Sequence, residues 1–180
     1  MRKRYFLIAL LCLHACVHAP TAPPPVVPSK PYAASALHTE GLWVGGQPSA
    51  DDLATLRQAG VERVLNLRTP EEMQDLGFDE AAKASALGLG YRSLPLGGTA
   101  YPYTPALVDA LEAEMQASAG KLLLHCASGG RAGLVYAAWL VKYRGYTPDA
   151  AMRTLEGLGG WPLPLEKLLG RPLRLQYAED

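Results

Sequence analysis

Cysteine is scarce in this chain of 180 residues: there are three, Cys12, Cys16 and Cys126. A small exported fold that leans on disulfides needs more, so the folded part must stand on a hydrophobic core. Neither sign of charge prevails, with 17 basic and 17 acidic residues. That excludes the basic face on which nucleic-acid binding rests. The apolar run from Tyr5 to Leu13 is too short to span a bilayer, and no second run is long enough. His14, His18 and His38 stand in no ligand spacing with any Cys, Asp or Glu cluster, so no metal is expected. Gly88-x-Gly90 precedes a strand-like segment rather than a helix and fails as a dinucleotide loop.

What is present begins with a targeting pattern. Arg2-Lys3-Arg4, the apolar stretch and Leu13-His14-Ala15-Cys16 form a basic, an apolar and a cleavage region. The ending resembles a bacterial lipoprotein signal, with residues 1–15 removed and Cys16 lipidated. His14 is unusual at its position, and a cut after Ala19 is the alternative, although Pro20 would follow it. The lipoprotein pattern predicts an exported, periplasmic protein held by a lipid anchor in the outer membrane. Its mature charge would be −3, since Arg2, Lys3 and Arg4 leave and no acid does. Cys126 would then be the single free thiol. Residues 16–36, with prolines at 20, 23, 24, 25, 28 and 31, read as an extended tether. Residues 37–180 read as one domain.

Within that domain the run His125-Cys126-Ala127-Ser128-Gly129-Gly130-Arg131-Ala132-Gly133 lies between an apolar strand, Lys121 to His125, and an apolar helix reaching Arg144. A glycine-rich loop that opens a helix turns its amides inward and makes a cradle for an anion. Arg131 adds two parallel donors for a tetrahedral oxyanion. A thiol in that field is expected to ionise readily. The candidate site is therefore Cys126 as nucleophile, His125 beside it, and Ala127, Ser128, Gly129, Gly130 and Arg131 as the oxyanion cradle. A cysteine behind a buried strand is often an inert core residue. The order His-Cys, paired glycines, arginine and apolar helix is not what packing alone requires.

Around this loop, strands are expected at Leu42 to Val44, Val61 to Leu67 and Tyr91 to Leu94. Helices are expected after Ser49, over Phe78 to Leu87 with Ala81, Ala84 and Leu87 inward, from Pro105 to Ser118, and from Thr147 to Gly157. Arg68 to Glu72 reads as a loop, and residues 159–180 give no clear pattern. Alternation of strands and helices predicts an α/β fold, with a mostly parallel central sheet flanked by helices. Arg68, at the end of a buried strand, is a candidate second cation for the site, or else a salt-bridge partner of Glu71 or Glu72.

Trp43-Val44-Gly45-Gly46-Gln47-Pro48-Ser49, Val64-Leu65-Asn66-Leu67-Arg68 and the cysteine loop agree in order and spacing with one group. Over residues 40–157 the chain resembles bacterial cysteine-phosphatase-like domains of the dual-specificity type. These include the domain fused to some beta-lactamase-like hydrolases and a group found with NAD kinases. The resemblance implies attack of Cys126 on phosphorus, a thiophosphoryl intermediate, and no cofactor. It also implies a phosphorylated protein or small phosphoester as substrate, with His125 bracing the loop. Three features depart from the usual tyrosine-phosphatase pattern. Four residues rather than five separate Cys126 from Arg131, Ala132 stands where a hydroxyl residue is usual, and Pro95 to Tyr103 carries no carboxylate. Ser128 could supply the missing hydroxyl, and Glu71, Glu72 or Asp79 the missing acid, although each acid also reads as a surface group. Tyr101 and Tyr103 could line the mouth. Two alternatives share the loop: persulfide or sulfurtransferase chemistry, which also uses four-residue spacing, and a non-catalytic oxyanion binder.

Overall fold

A computed structural model describes residues 36–155 and 163–173. The expected signal segment 1–15, the lipidation site Cys16 and residues 16–35 of the tether lie outside the described residues. Ala36, the last residue of the expected tether, is 5% exposed and packed in the core.

Five strands form one sheet in the order β1-β2-β5-β3-β4. They are β1 (Leu37–Thr39), β2 (Leu42–Gly45), β3 (Arg63–Asn66), β4 (Gly90–Ser93) and β5 (Leu122–His125). Only β1 runs antiparallel, paired with β2. The other pairings are parallel, with β5 central between β2 and β3. The expected α/β architecture is thus observed; β1 was not foreseen. Three residues beside a proline tract offer too little alternation to read.

Seven helices cover the sheet among the described residues. They are α1 (Ala50–Gln58), α2 (Pro70–Gln74), α3 (Glu80–Ala86), α4 (Pro105–Ala117), α5 (Gly130–Arg144), α6 (Pro148–Arg153) and α7 (Leu163–Leu169). Ser49 caps α1 through a reciprocal pair with Asp52. The segment Arg68 to Glu72, expected as loop, contains the start of α2. Thr69 and Glu72 form a second reciprocal cap there, with Pro70 at the first helical position. α7 lies in the stretch that gave no pattern. Residues 156–162 lie outside the described ones, so the expected end of the preceding helix at Gly157 does too.

Side-chain alternation along the strands builds two cores. Leu122 and Leu124 of β5, with Leu42, Val44 and Leu65, face α4, α5 and α7. Leu123, with Trp43 and Val64, faces α1 and α3. All three β5 leucines are fully buried, so truncating one to alanine would cost about 2–5 kcal/mol. The same alternation separates the next two residues. Cys126 belongs to the α5 core, and His125 turns to the α3 side, where it meets Glu80.

At the β3–β4 edge, Glu114 of α4 clamps both strands. Its carboxylate accepts from Arg63 Nε at 2.5 Å and from Arg92 Nη1 at 3.1 Å. Burial pushes this carboxyl up, but the hydrogen bonds and charges of the two arginines hold it below its ordinary value. A folded value below the unfolded one means stabilisation that is complete above the ordinary carboxylate range. It is lost as pH falls through the folded value. Glu114→Gln is therefore expected to cost about 1–2 kcal/mol at neutral pH. In urea unfolding, that difference should shrink on acidification below the ordinary value of 4.5.

Candidate active site

The site lies at the carboxyl ends of β2, β3 and β5, where open α/β sheets place ligands. β5 delivers His125 and Cys126, and the chain turns through 127–129 into α5. Gly129 closes this turn at φ +99°, a region where a side chain is strained, and is the residue before the helix. The turn is held from below by β2. Cys126 N–H donates to the Gly45 carbonyl at 3.2 Å, and Gln47 N–H to the Ala127 carbonyl at 3.0 Å. A Cβ on Gly46 would meet that Ala127 oxygen at 3.1 Å, so a larger residue would push the Gly-Gln-Pro turn and the loop apart by a few tenths of an ångström.

Cys126 is a free thiol, 1% exposed. The Gly129 N–H donates to its Sγ at 3.2 Å. The first turn of α5 leaves amides without helical acceptors at the same end, where the helix dipole is positive. Ala127 and Ser128 are exposed on the turn. Ser128 pairs its backbone with Gly46.

Arg131 is held on one edge. Its Nη1 donates to Glu72 Oε2 at 2.9 Å and to the Leu96 carbonyl at 2.5 Å, and its Nη2 donates to Glu72 Oε1 at 2.6 Å. These bonds use three of the five guanidinium N–H groups and leave Nε–H and one Nη2–H as a fork. Glu72, through its bond to Arg131, and the Cys126 charge raise the Arg131 guanidinium further above its usual value. Glu72 sits below the carboxylate range, chiefly through its bond from Arg131. It is fixed by a third donor, the Thr69 N–H at 2.8 Å. The capping residue of α2 is thus also the anchor of the loop arginine.

Arg68, a candidate second cation for the site or else a salt-bridge partner of Glu71 or Glu72, has both Nη atoms engaged and its Nε buried without a partner. Its Nη1 donates to Gln47 Oε1 at 2.8 Å and its Nη2 to the Glu72 carbonyl at 2.6 Å. It braces the Gly-Gln-Pro turn against α2 and makes no carboxylate salt bridge with Glu71 or Glu72 among the described contacts.

A cleft of about 430 Å³ opens beside Arg131, walled by Thr69, Glu71, Glu72 and the 97–101 segment with Tyr101. Burial pushes the Tyr103 phenol up; Arg131 draws it down and the Cys126 charge raises it, so this ring lies within electrostatic reach of both. Of the candidate acids, Glu71 is exposed on the cleft wall and Glu72 is bound to Arg131. Asp79 is spent capping α3 at the Ala82 N–H, 2.9 Å away.

A nucleophile at the foot of an amide-lined turn, with an arginine fork at its end, is the arrangement that comparison with known proteins tests. Residues 36–141 match the family described as beta-lactamase hydrolase-like protein, phosphatase-like domain. The chain belongs to this family. It is 36% identical over 100 residues to a beta-lactamase hydrolase-like protein of Xylella fastidiosa. That match covers 54% of this chain and 23% of the relative, so the chain spans about a quarter of that protein's length. Dual specificity protein phosphatase 26 of Rattus norvegicus is 28% identical over 123 residues, covering 64% of this chain and 55% of that one. Among solved structures, P. aeruginosa TpbA superposes with a TM-score of 0.63 at 21% identity, covering 82% of this chain and 90% of that one. PTPMT1 gives 0.61 at 19% identity, covering 73% and 88%. These likenesses speak for the fold. The family match makes this domain a phosphatase-like one.

Beneath the phosphatase-like loop lies a group of residues that the sequence reading passed over. Glu80, 1% exposed, accepts from Gln47 Nε2 at 2.7 Å, Asn66 Nδ2 at 3.1 Å and Tyr91 Oη at 2.9 Å. Its Oε1 also stands 3.3 Å from His125 Nε2. The inward residue at the start of α3 is therefore an acid; Ala81, expected to face inward, is exposed. Gln47 and Asn66 stood inside recognised segments, but only the fold shows what they hold.

Proposed function

We propose that this domain hydrolyses phosphoric monoesters through Cys126. The observation that carries the reading is the convergence on one turn of the buried Cys126 thiol, the Gly129 N–H on its sulfur and the Arg131 guanidinium, which interacts with the same sulfur. The thiolate attacks phosphorus, the P–O bond to the leaving group breaks, and a thiophosphoryl enzyme forms. Water then attacks the phosphorus, the S–P bond breaks, and inorganic phosphate leaves with the thiolate restored. Arg131 and the loop amides hold the non-bridging oxygens throughout. Because 95–103 offers no carboxylate, the departing oxygen takes its proton from solvent. That favours esters of phenols, whose anions leave unaided, over esters of alcohols. The substrate is a phosphorylated protein or a small aryl phosphoester. The domain works outside the cytoplasm on a proline-rich tether from a lipidated Cys16, a reading supported by the basic–apolar–cysteine pattern of residues 2–16.

The test is acid-quenched mass spectrometry of the reduced full chain with p-nitrophenyl phosphate, beside steady-state turnover of that ester, an alkyl phosphate, and thiosulfate with cyanide. The expected result is a phosphate adduct on Cys126 and turnover of the aryl ester at least about a hundredfold above the alkyl one. Cyanide-dependent turnover of thiosulfate with no adduct would overturn it in favour of sulfur transfer. Phosphate binding without turnover of either ester would leave only a binder.

A further inference from the structure

The cleft beside Arg131 has two walls, the start of α2 and the 97–101 segment. The second wall is largely backbone. Gly97 N–H donates to the Tyr101 carbonyl at 2.7 Å and closes a tight turn, with Gly97 at φ +142° and Gly98 at φ +63°. A Cβ on Gly97 would crowd Arg131 Nη1 at 3.2 Å. Gly98, Thr99 and Ala100 are small and exposed, so this rim is open to solvent and to a bulky organic group.

The facing wall carries charge. Glu71 and Glu72 both line the cleft but differ in what they hold. Glu72 is paired with Arg131 at 2.6 Å. Glu71 is exposed, and no hydrogen bond or ion pair engages its side chain among the described residues. Nor does α2 need a second acid in its first turn, since Glu72 already completes the cap with Thr69. No base answers Glu71 from either wall. Lys, Arg and His are all missing between Arg68 and Lys83 and between Arg92 and Lys121, the stretches that build the walls. Arg68 itself is tied to Gln47 and to the Glu72 carbonyl. Arg131 is the one cation lining the cleft among the described residues, and a bound phosphate engages it.

With phosphate in place, an unpaired carboxylate therefore faces the organic part of the ester. A second anionic group there meets repulsion with no counter-charge, whereas an ammonium or guanidinium meets a partner. Sites for small molecules enclose most of their ligand. Here Glu71, Gly98, Thr99 and Ala100 are all exposed, an open rim that suits a side chain standing out from a longer chain.

We propose that Glu71 is a specificity-determining residue, which selects phosphotyrosyl segments of proteins that carry a lysine or arginine beside the phosphotyrosine. The inference deepens the phosphatase reading and rests on it. Glu71 meets the substrate away from phosphorus, so it acts on binding rather than on the P–O bond.

The test compares two peptides of equal length, each with one phosphotyrosine, flanked by lysines in one and by glutamates in the other. They are given to the reduced full chain and to Glu71→Gln and Glu71→Lys, with circular dichroism to check folding. At low salt the parent should favour the lysine peptide about tenfold in kcat/KM, since the exchange replaces attraction by repulsion. That preference is carried in KM. It should fall to about threefold or less in Glu71→Gln, reverse in Glu71→Lys, and shrink in the unaltered chain at about 0.5 M salt. A preference unchanged in both variants overturns the proposal. So does a loss of kcat common to both peptides in Glu71→Gln, which would make Glu71 a proton donor to the leaving group. A second arm needs no turnover: fluorescence anisotropy of the labelled peptides with Cys126→Ser, alone and combined with Glu71→Gln. The same order of affinities and the same response to Glu71→Gln are expected. A lysine preference in binding by a chain that hydrolyses neither peptide upholds the role of Glu71 while the phosphatase reading falls. Hydrolysis and binding of both peptides alike do the reverse.

Discussion

Cys126→Ser is expected to bring p-nitrophenyl phosphate turnover down by about a thousandfold or more while leaving phosphate binding almost unchanged. The two halves of this expectation have separate causes. The oxygen that replaces Sγ is a poor nucleophile at neutral pH, because a hydroxyl keeps its proton where a thiol gives it up. The Gly129 N–H meets the sulfur at 3.2 Å, so the replaced atom sits at the foot of the cradle. The cradle, by contrast, owes nothing to the thiol. Its donors are the amides at the start of α5 and the fork of Arg131, and the turn is fastened to β2 through Gly45 and Gln47. Calorimetric titration with inorganic phosphate should therefore give dissociation constants within about threefold of one another. A serine variant that keeps more than about a tenth of the turnover would show that the chemistry runs on another group. A variant that loses phosphate binding as well would show that the thiol is part of the fold of the loop.

The cysteine loop was legible because everything that defines it is contiguous: strand, nucleophile, glycines, arginine and helix fall within 25 residues, Leu122 to Tyr146. The parallel sheet was legible for the same reason, since each strand carries its own alternation or apolar run. What sequence reading missed depends on register or on distance. Glu80 and Ala84 lie one turn apart and share the buried stripe of α3. Choosing Ala81 as the inward residue rotates that stripe by one position and turns a buried carboxylate into a surface one. A small apolar residue is the natural choice when hydrophobicity is the only guide. The acid is stable there only because Gln47, Asn66, Tyr91 and His125 converge from three strands and a turn. α2 did leave a signal, the Thr69-x-x-Glu72 spacing with Pro70 after the threonine. It was read as loop because five residues are too few to show a helical period. Glu72 was named among the candidate acids. That it is bound to Arg131 becomes visible only when β3 and β5 are laid side by side.

That placement decides how an arginine variant should behave. Arg131→Ala is expected to lower kcat/KM for p-nitrophenyl phosphate by about a thousandfold or more. Arg131→Lys should recover only a small part of it, because an ammonium has no fork to match two phosphate oxygens. In Glu72→Gln the guanidinium keeps its bond to the Leu96 carbonyl but loses the bidentate clamp that fixes its plane. The expected loss is about tenfold, carried in kcat, since a fork out of plane serves the transition state less well than it serves ground-state phosphate. The phosphate dissociation constant of Glu72→Gln should hold or tighten, because a carboxylate beside the oxyanion is gone. An equal and large loss of phosphate affinity in both variants would assign Glu72 to holding α2 and the loop together. Steady-state kinetics with parallel phosphate titration separate these cases: a clamp moves kcat and spares binding, whereas a strut moves both.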